Sequence, residues 1–220
     1  MDWRAWHDAY ENPDSGLAQR LVLVREQIRA ALGRLPPGPV KAVSMCAGQG
    51  HDLIGALTGH ERRGDVTARL VELDEHNVLL AHHAAQDAGL NGVQVVTGDA
   101  SLTDAYVGAV PADLVLVCGV FGNISTEDIQ RTITALPQLC AADATVIWTR
   151  HRLPPDITPT IQRWFAEQGF DELAYEVDQS ALLAVGAQRF TGAPATLREG
   201  ERLFDFIGYD ALQPAEPTAD

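Results

Sequence analysis

From residue 39 onward the apolar positions fall into short runs separated by amphipathic stretches, a pattern that predicts strands alternating with helices. Residues 39 to 52, Pro-Val-Lys-Ala-Val-Ser-Met-Cys-Ala-Gly-Gln-Gly-His-Asp, begin as an apolar run and break into small residues and glycines. They read as a buried strand feeding a tight turn that opens a helix over Asp52 to Leu57. Ahead of them, Trp3, Trp6, His7 and Tyr10 stand at i, i+3, i+4 and i+7, so a short helix would put all four on one face. Asn12-Pro13-Asp14-Ser15-Gly16 ends that helix, and a second follows over residues 17 to 32 with Leu17, Leu21, Val24, Ile28 and Leu32 as its stripe.

The rhythm then repeats. Strands are expected at Val66 to Leu73, Val93 to Thr97, Ala112 to Val117 and Ala144 to Thr149. Helices are expected at Glu75 to Ala88, from the Ser125 cap to Leu136, and at Pro159 to Gln168. Strands and helices alternating at this spacing imply parallel βαβ units with helices on both sheet faces. Glu172 to Val177 and Leu182 to Arg189 are joined by only Asp178 to Ala181, too short for a helical crossover, so they should pair antiparallel. The fold class is therefore α/β: a Rossmann-like, doubly wound, mostly parallel seven-stranded sheet with a C-terminal antiparallel hairpin and N-terminal helices. Residues 1 to 35 form a helical cap, 40 to 190 the core of a single domain, and 191 to 220 an arm and tail. The arm contains Arg-Leu-Phe-Asp-Phe-Ile, either an edge strand or a packed arm, and the Pro-rich acidic end from Ala211 is expected to fray.

Composition narrows the partners. With 220 residues and 46% hydrophobic content the chain can bury one sizeable core. A formal charge of -14, with scattered arginines, would repel a phosphate backbone, so no nucleic-acid surface is expected and a small-molecule substrate fits better. Cys46, Cys118 and Cys140 lack zinc-like spacing and point to a reducing compartment. No apolar stretch is long enough to span a membrane, so the expectation is a cytoplasmic protein, monomer or homodimer.

Gly48 and Gly50 would let a nucleotide-like ligand meet backbone N–H groups, and Asp74 stands past the second strand, about 20 residues on, where ribose hydroxyls need a carboxylate. Four ordered motifs carry a resemblance over about residues 40 to 190: Val43-Ser44-Met45-Cys46-Ala47-Gly48-Gln49-Gly50, Val71-Glu72-Leu73-Asp74, Val96-Thr97-Gly98-Asp99-Ala100, and Ala112-Asp113-Leu114-Val115-Leu116-Val117-Cys118-Gly119. Together they resemble the class I S-adenosylmethionine-dependent methyltransferases. The resemblance implies S-adenosyl-L-methionine as cofactor, held by Cys46, Ala47, Gly48 and Gly50, with Asp74 on ribose. It also implies Asp99 and Ala100 at adenine and Cys118 and Gly119 beside the methyl group. The acid usual before the first glycine is absent, since that register falls on Ser44, and Asp52 is the expected substitute. The rivals are a nicotinamide-binding oxidoreductase, whose third glycine is here Leu53, and a non-catalytic cofactor-binding protein.

An in-line methyl transfer needs a base only for a protonated acceptor. His151, following the fifth strand, is either that base or a solvated loop residue. His7, the second catalytic candidate, shares its face with Trp3, Trp6 and Tyr10, which either close over the substrate or dock the helix. Asn123 either contacts the acceptor or shapes the turn before Ser125. Cys46 and Cys118 are otherwise small buried residues. The spacing of His76, His82 and His83 is no recognised ligand pattern, and no metal is expected.

Overall fold

The computed structural model describes residues 15–178 and 182–208. Thus His7, Trp3, Trp6, Tyr10 and the Pro-rich end lie outside the described residues.

Ser15 caps the first helix, α1 (Gly16–Arg34), its hydroxyl accepting the Ala18 amide at 3.0 Å. The helix ends where Leu35 turns extended before Pro36-Pro37. The guanidinium of Arg62 donates to the carbonyls of Leu32, Leu35, Pro36 and Gly38, fixing that end. The strands are β1 (Val40–Ser44), β2 (Val66–Glu72), β3 (Val93–Thr97), β4 (Ala112–Val117), β5 (Cys140–His151), β6 (Phe170–Asp178) and β7 (Leu183–Phe190). Between them run α2 (Leu53–Leu57), α3 (Glu75–Asp87), α4 (Thr126–Ala135) and α5 (Thr158–Glu167). The crossover from β3 to β4 carries only a short 3-10 turn, Thr103–Tyr106.

The seven strands lie in the order β3-β2-β1-β4-β5-β7-β6, with β7 antiparallel to both neighbours and the remaining pairs parallel. The strand order reverses between β1 and β4, which pair with Ala42 opposite Leu114. Such a switch point opens a crevice at the carboxyl ends of the strands.

Both sheet faces are covered because the central strands alternate between two apolar layers. Leu114 and Leu116 of β4 pack with Val24, Ile28, Leu53 and Ala81 from α1, α2 and α3. Val115 and Val117 pack on the other face with Ile129, Ile133, Ile161 and Phe165 from α4 and α5. Trp148, fully buried, stacks on Phe165 with centroids 6.0 Å apart and a 17° interplanar angle. Gly186 lies opposite Trp148 in the β5–β7 pairing, leaving the indole the space a side chain would fill.

Element ends shift by a few residues from expectation, and one shift bears on the site. β5 extends two residues beyond Thr149 because Arg150 and His151 pair with Ala184 and Leu183, so His151 is a strand residue and not part of a following loop. Of the two alternatives for residues 191–208, the structure shows the packed arm, whose one β-bridge pairs Leu102 with Arg202.

Candidate functional site

The glycine loop turns by three left-handed residues at alternate positions, Cys46 (φ 47°), Gly48 (φ 55°) and Gly50 (φ 72°). Cysteine thus occupies a conformation that glycine adopts without steric cost. Gly50 is closed in from behind: a Cβ there would fall 2.5 Å from Ile54 Cδ1. It shapes the turn but does not line the cavity.

The loop rims a cavity of about 510 Å³ at the switch point. From the expected set, Cys46, Ala47, Gly48, Asp52, Asp74, Asp99, Ala100, Cys118, Gly119 and Asn123 line it. His151 does not. Its imidazole lies against Gly122, and burial together with the neighbouring Arg150 charge pushes it down to about 4, Asp156 opposing. At neutral pH it is an uncharged, weakly basic group.

The two acids near the end of β2 divide their work. The Gly48 N–H donates to Glu72 Oε2 at 2.7 Å, and the Asp74 N–H to Glu72 Oε1 at 2.9 Å. Asp74 Oδ1 accepts the Asn77 amide at 3.0 Å and thereby caps α3. Leu73 between them is 69% exposed at the cavity rim, because the strand ends at Glu72.

Asp52 is the N-cap of α2, its carboxylate accepting the Leu53 amide at 2.6 Å. Burial pushes its carboxyl up, opposed by the Leu53 hydrogen bond and by the charges of Arg20 and Arg25. Arg20, only 9% exposed, brings a cation from α1 into the cavity wall. α1 is tied to the α2 segment by Arg25, which donates to the His51 carbonyl at 2.8 Å, and by Arg29, which donates to Ala56 and Gly55.

Beyond β3, Asp99 Oδ1 accepts both the amide and hydroxyl of Ser101, at 2.9 and 2.6 Å, and Oδ2 accepts from Arg202 at 3.3 Å. Burial would raise the Asp99 carboxyl, but these donors outweigh it and hold the group below the usual carboxylate range. After β4, Gly119 (φ 75°) donates its N–H to Thr149 Oγ1 at 2.8 Å and accepts from Asn123 Nδ2 at 2.7 Å. Burial raises the thiols of Cys46 and Cys118, so both stay protonated.

Sequence reasoning missed Arg20, Leu21, Val24, Phe204 and Phe206, all of which line the cavity. Arg20 had a signal, a basic residue four before Val24 on the apolar face of the helix. Among the described residues no three His, Cys, Asp or Glu side chains converge as a metal-holding group, and no helix is long and apolar enough to cross a membrane.

No protein-family model and no curated protein matches the chain. Solved structures do. A CurJ carbon methyltransferase superposes with a TM-score of 0.65 at 16% identity, over 84% of this chain and 58% of its own. An O-methyltransferase family protein from Burkholderia thailandensis gives 0.65 at 15% identity, over 87% and 61%. The chain therefore spans about three-fifths of the length of these two proteins. Magnesium protoporphyrin IX methyltransferase from Synechocystis PCC 6803, solved with bound S-adenosylmethionine, gives 0.62 at 16% identity, over 86% and 91%. The sheet order, the switch-point cavity and these likenesses together give the chain the fold of the class I S-adenosylmethionine-dependent methyltransferases.

Proposed function

We propose that the protein is an S-adenosylmethionine-dependent methyltransferase acting on a small molecule. The observation that carries this reading is the acid-rich cavity at the switch point, entered by a loop left-handed at residues 46, 48 and 50. Its carboxylates, Asp52, Glu72, Asp74 and Asp99, suit a ligand bearing hydroxyl donors, an ammonium and a sulfonium.

Within this reading the ribose carboxylate is Glu72, which already braces the glycine loop, while Asp74 serves the α3 cap. Asp52 meets the ammonium in place of the acid absent at Ser44, and the Arg20 guanidinium meets the carboxylate of the same amino-acid tail. Asp99 and Ala100 border adenine, and Cys118 and Gly119 border the methyl group. Asn123 braces Gly119 there. When bound, S-adenosylmethionine supplies an activated methyl group, and the chain's part is to hold the acceptor in line and keep water out.

The Asp52 side chain at the N-cap of α2 also disfavours a dinucleotide, because it already takes the Leu53 amide that a pyrophosphate would approach. Calorimetry tests the reading: S-adenosylhomocysteine binds and NAD does not. Binding of NAD alone would overturn it. Transfer of label from S-adenosylmethionine to an acceptor separates an enzyme from a protein that only binds the cofactor.

A further inference from the structure

The arm that follows the last strand has no part in completing the sheet, yet it closes the cavity. Phe204, 1% exposed, and Phe206, 42% exposed, both line it. Their backbone is held on each side. The Leu203 N–H donates to the Ser101 carbonyl at 2.7 Å, and the Asp205 N–H to Asp128 Oδ2 at 2.9 Å. The Ile207 and Gly208 amides both donate to the Asn123 carbonyl, at 2.9 and 3.0 Å. Asn123 in turn holds Gly119 at the end of β4. Phe206 is thus a large apolar side chain kept at the cavity by a pinned backbone, next to the strand end where the acceptor must approach in the reading above.

The charge of the cavity sets a second condition. Among the described residues lining it, four acids, Asp52, Glu72, Asp74 and Asp99, stand with the one guanidinium of Arg20, while Arg202 pairs with Asp99 from outside the lining. A negatively charged acceptor entering this field is repelled, whereas an uncharged ring system loses nothing to it and gains contact with phenyl groups.

We propose that the arm is the acceptor-recognition element, and that Phe206 selects an acceptor with a flat apolar ring system that carries no negative charge. The inference rests on the methyltransferase reading for the word acceptor, but its test is a binding measurement independent of turnover. Two probes with the same rings decide it: N-phenyl-1-naphthylamine, which is uncharged, and 1-anilinonaphthalene-8-sulfonate, which carries a sulfonate.

The expected result is fluorescence-detected binding of the uncharged probe to the full-length protein, with the sulfonate analogue weaker by about tenfold or more. Phe206→Ala weakens the uncharged probe about tenfold, Phe206→Leu weakens it less, and both variants bind S-adenosylhomocysteine like the parent. No binding of the uncharged probe, equal binding of the sulfonate, or a Phe206→Ala effect on S-adenosylhomocysteine alone would each overturn the proposal. Both variants are checked by their melting curves, and Phe206→Leu keeps the test decisive if the alanine variant folds poorly. Failure of the parent protein to bind S-adenosylhomocysteine would instead remove the methyltransferase reading and leave the probe result standing by itself.

Discussion

Glu72 and Gly48 are joined by a 2.7 Å hydrogen bond from loop amide to strand-end carboxylate, so the acid that faces the cavity also sets the shape of the glycine turn. Glu72→Gln keeps the size of the side chain but removes the charge-assisted acceptor. It is expected to weaken S-adenosylhomocysteine binding by roughly 1–3 kcal/mol in calorimetry. Asp74→Ala removes a helix cap, costs about 0.5–2 kcal/mol of stability in urea unfolding, and weakens binding less than Glu72→Gln. The opposite order of affinities would return the ribose role to Asp74.

His151 links stability to pH. Its imidazole is held at about 4 in the folded chain, chiefly by burial and by Arg150, whereas in an unfolded chain it titrates near 6.5. Between these values the unfolded chain binds more protons. The contribution is therefore complete above the upper value and is lost as pH falls toward the lower. His151→Gln should flatten the slope of unfolding free energy between about pH 4 and about pH 6.5, read from urea melts across that range. An unaltered slope would show that the ring titrates normally.

Gly186 faces Trp148 across the β5–β7 pair, and a methyl group there would enter the indole's space. Overpacking of this kind costs about 1–3 kcal/mol. Gly186→Ala is accordingly expected to lower the melting temperature by several degrees. A variant as stable as the parent would mean that the aromatic stack of Trp148 and Phe165 can shift as a unit.

Arg202 ties the arm to the loop after β3 through Asp99 and Ser101 while remaining 46% exposed itself. An exposed pair contributes at most about 1 kcal/mol to global stability. The effect of Arg202→Ala is therefore local: chymotrypsin should cleave faster at Phe204 and Phe206, with a melting temperature close to the parent's. Unchanged cleavage would place the hold on the arm in its other bonds, among them those to the Ser101 carbonyl, Asp128 and Asn123.

The sheet was readable because β4 alternates its apolar side chains between two helical layers and needs only local pattern to be recognised. The glycine loop was readable for the same reason. The different bonds of Glu72 and Asp74 were not, since both are acids near one strand end and their surroundings depend on the strand stopping at Glu72. His151 was placed after the fifth strand and not in it, because the two extra residues of β5 exist only through pairing with β7, a partner some thirty residues further on. Arg20 sat in plain view on a helix stripe, but pattern alone does not say that the stripe borders a cavity. The arm has no periodicity at all. Its bonds run from Leu203 to Ser101 and from Asp205 to Asp128, across stretches of chain that local reading does not connect.

The position of the arm also separates framework from pocket along the chain. The sheet is complete at Phe190, yet the cavity still lacks Phe204 and Phe206. Every strand of the sheet precedes these two phenylalanines in the chain, whereas the rest of the cavity wall comes from α1 and the strand ends. A truncation just after β7 would therefore keep the whole sheet and leave the cavity without one wall.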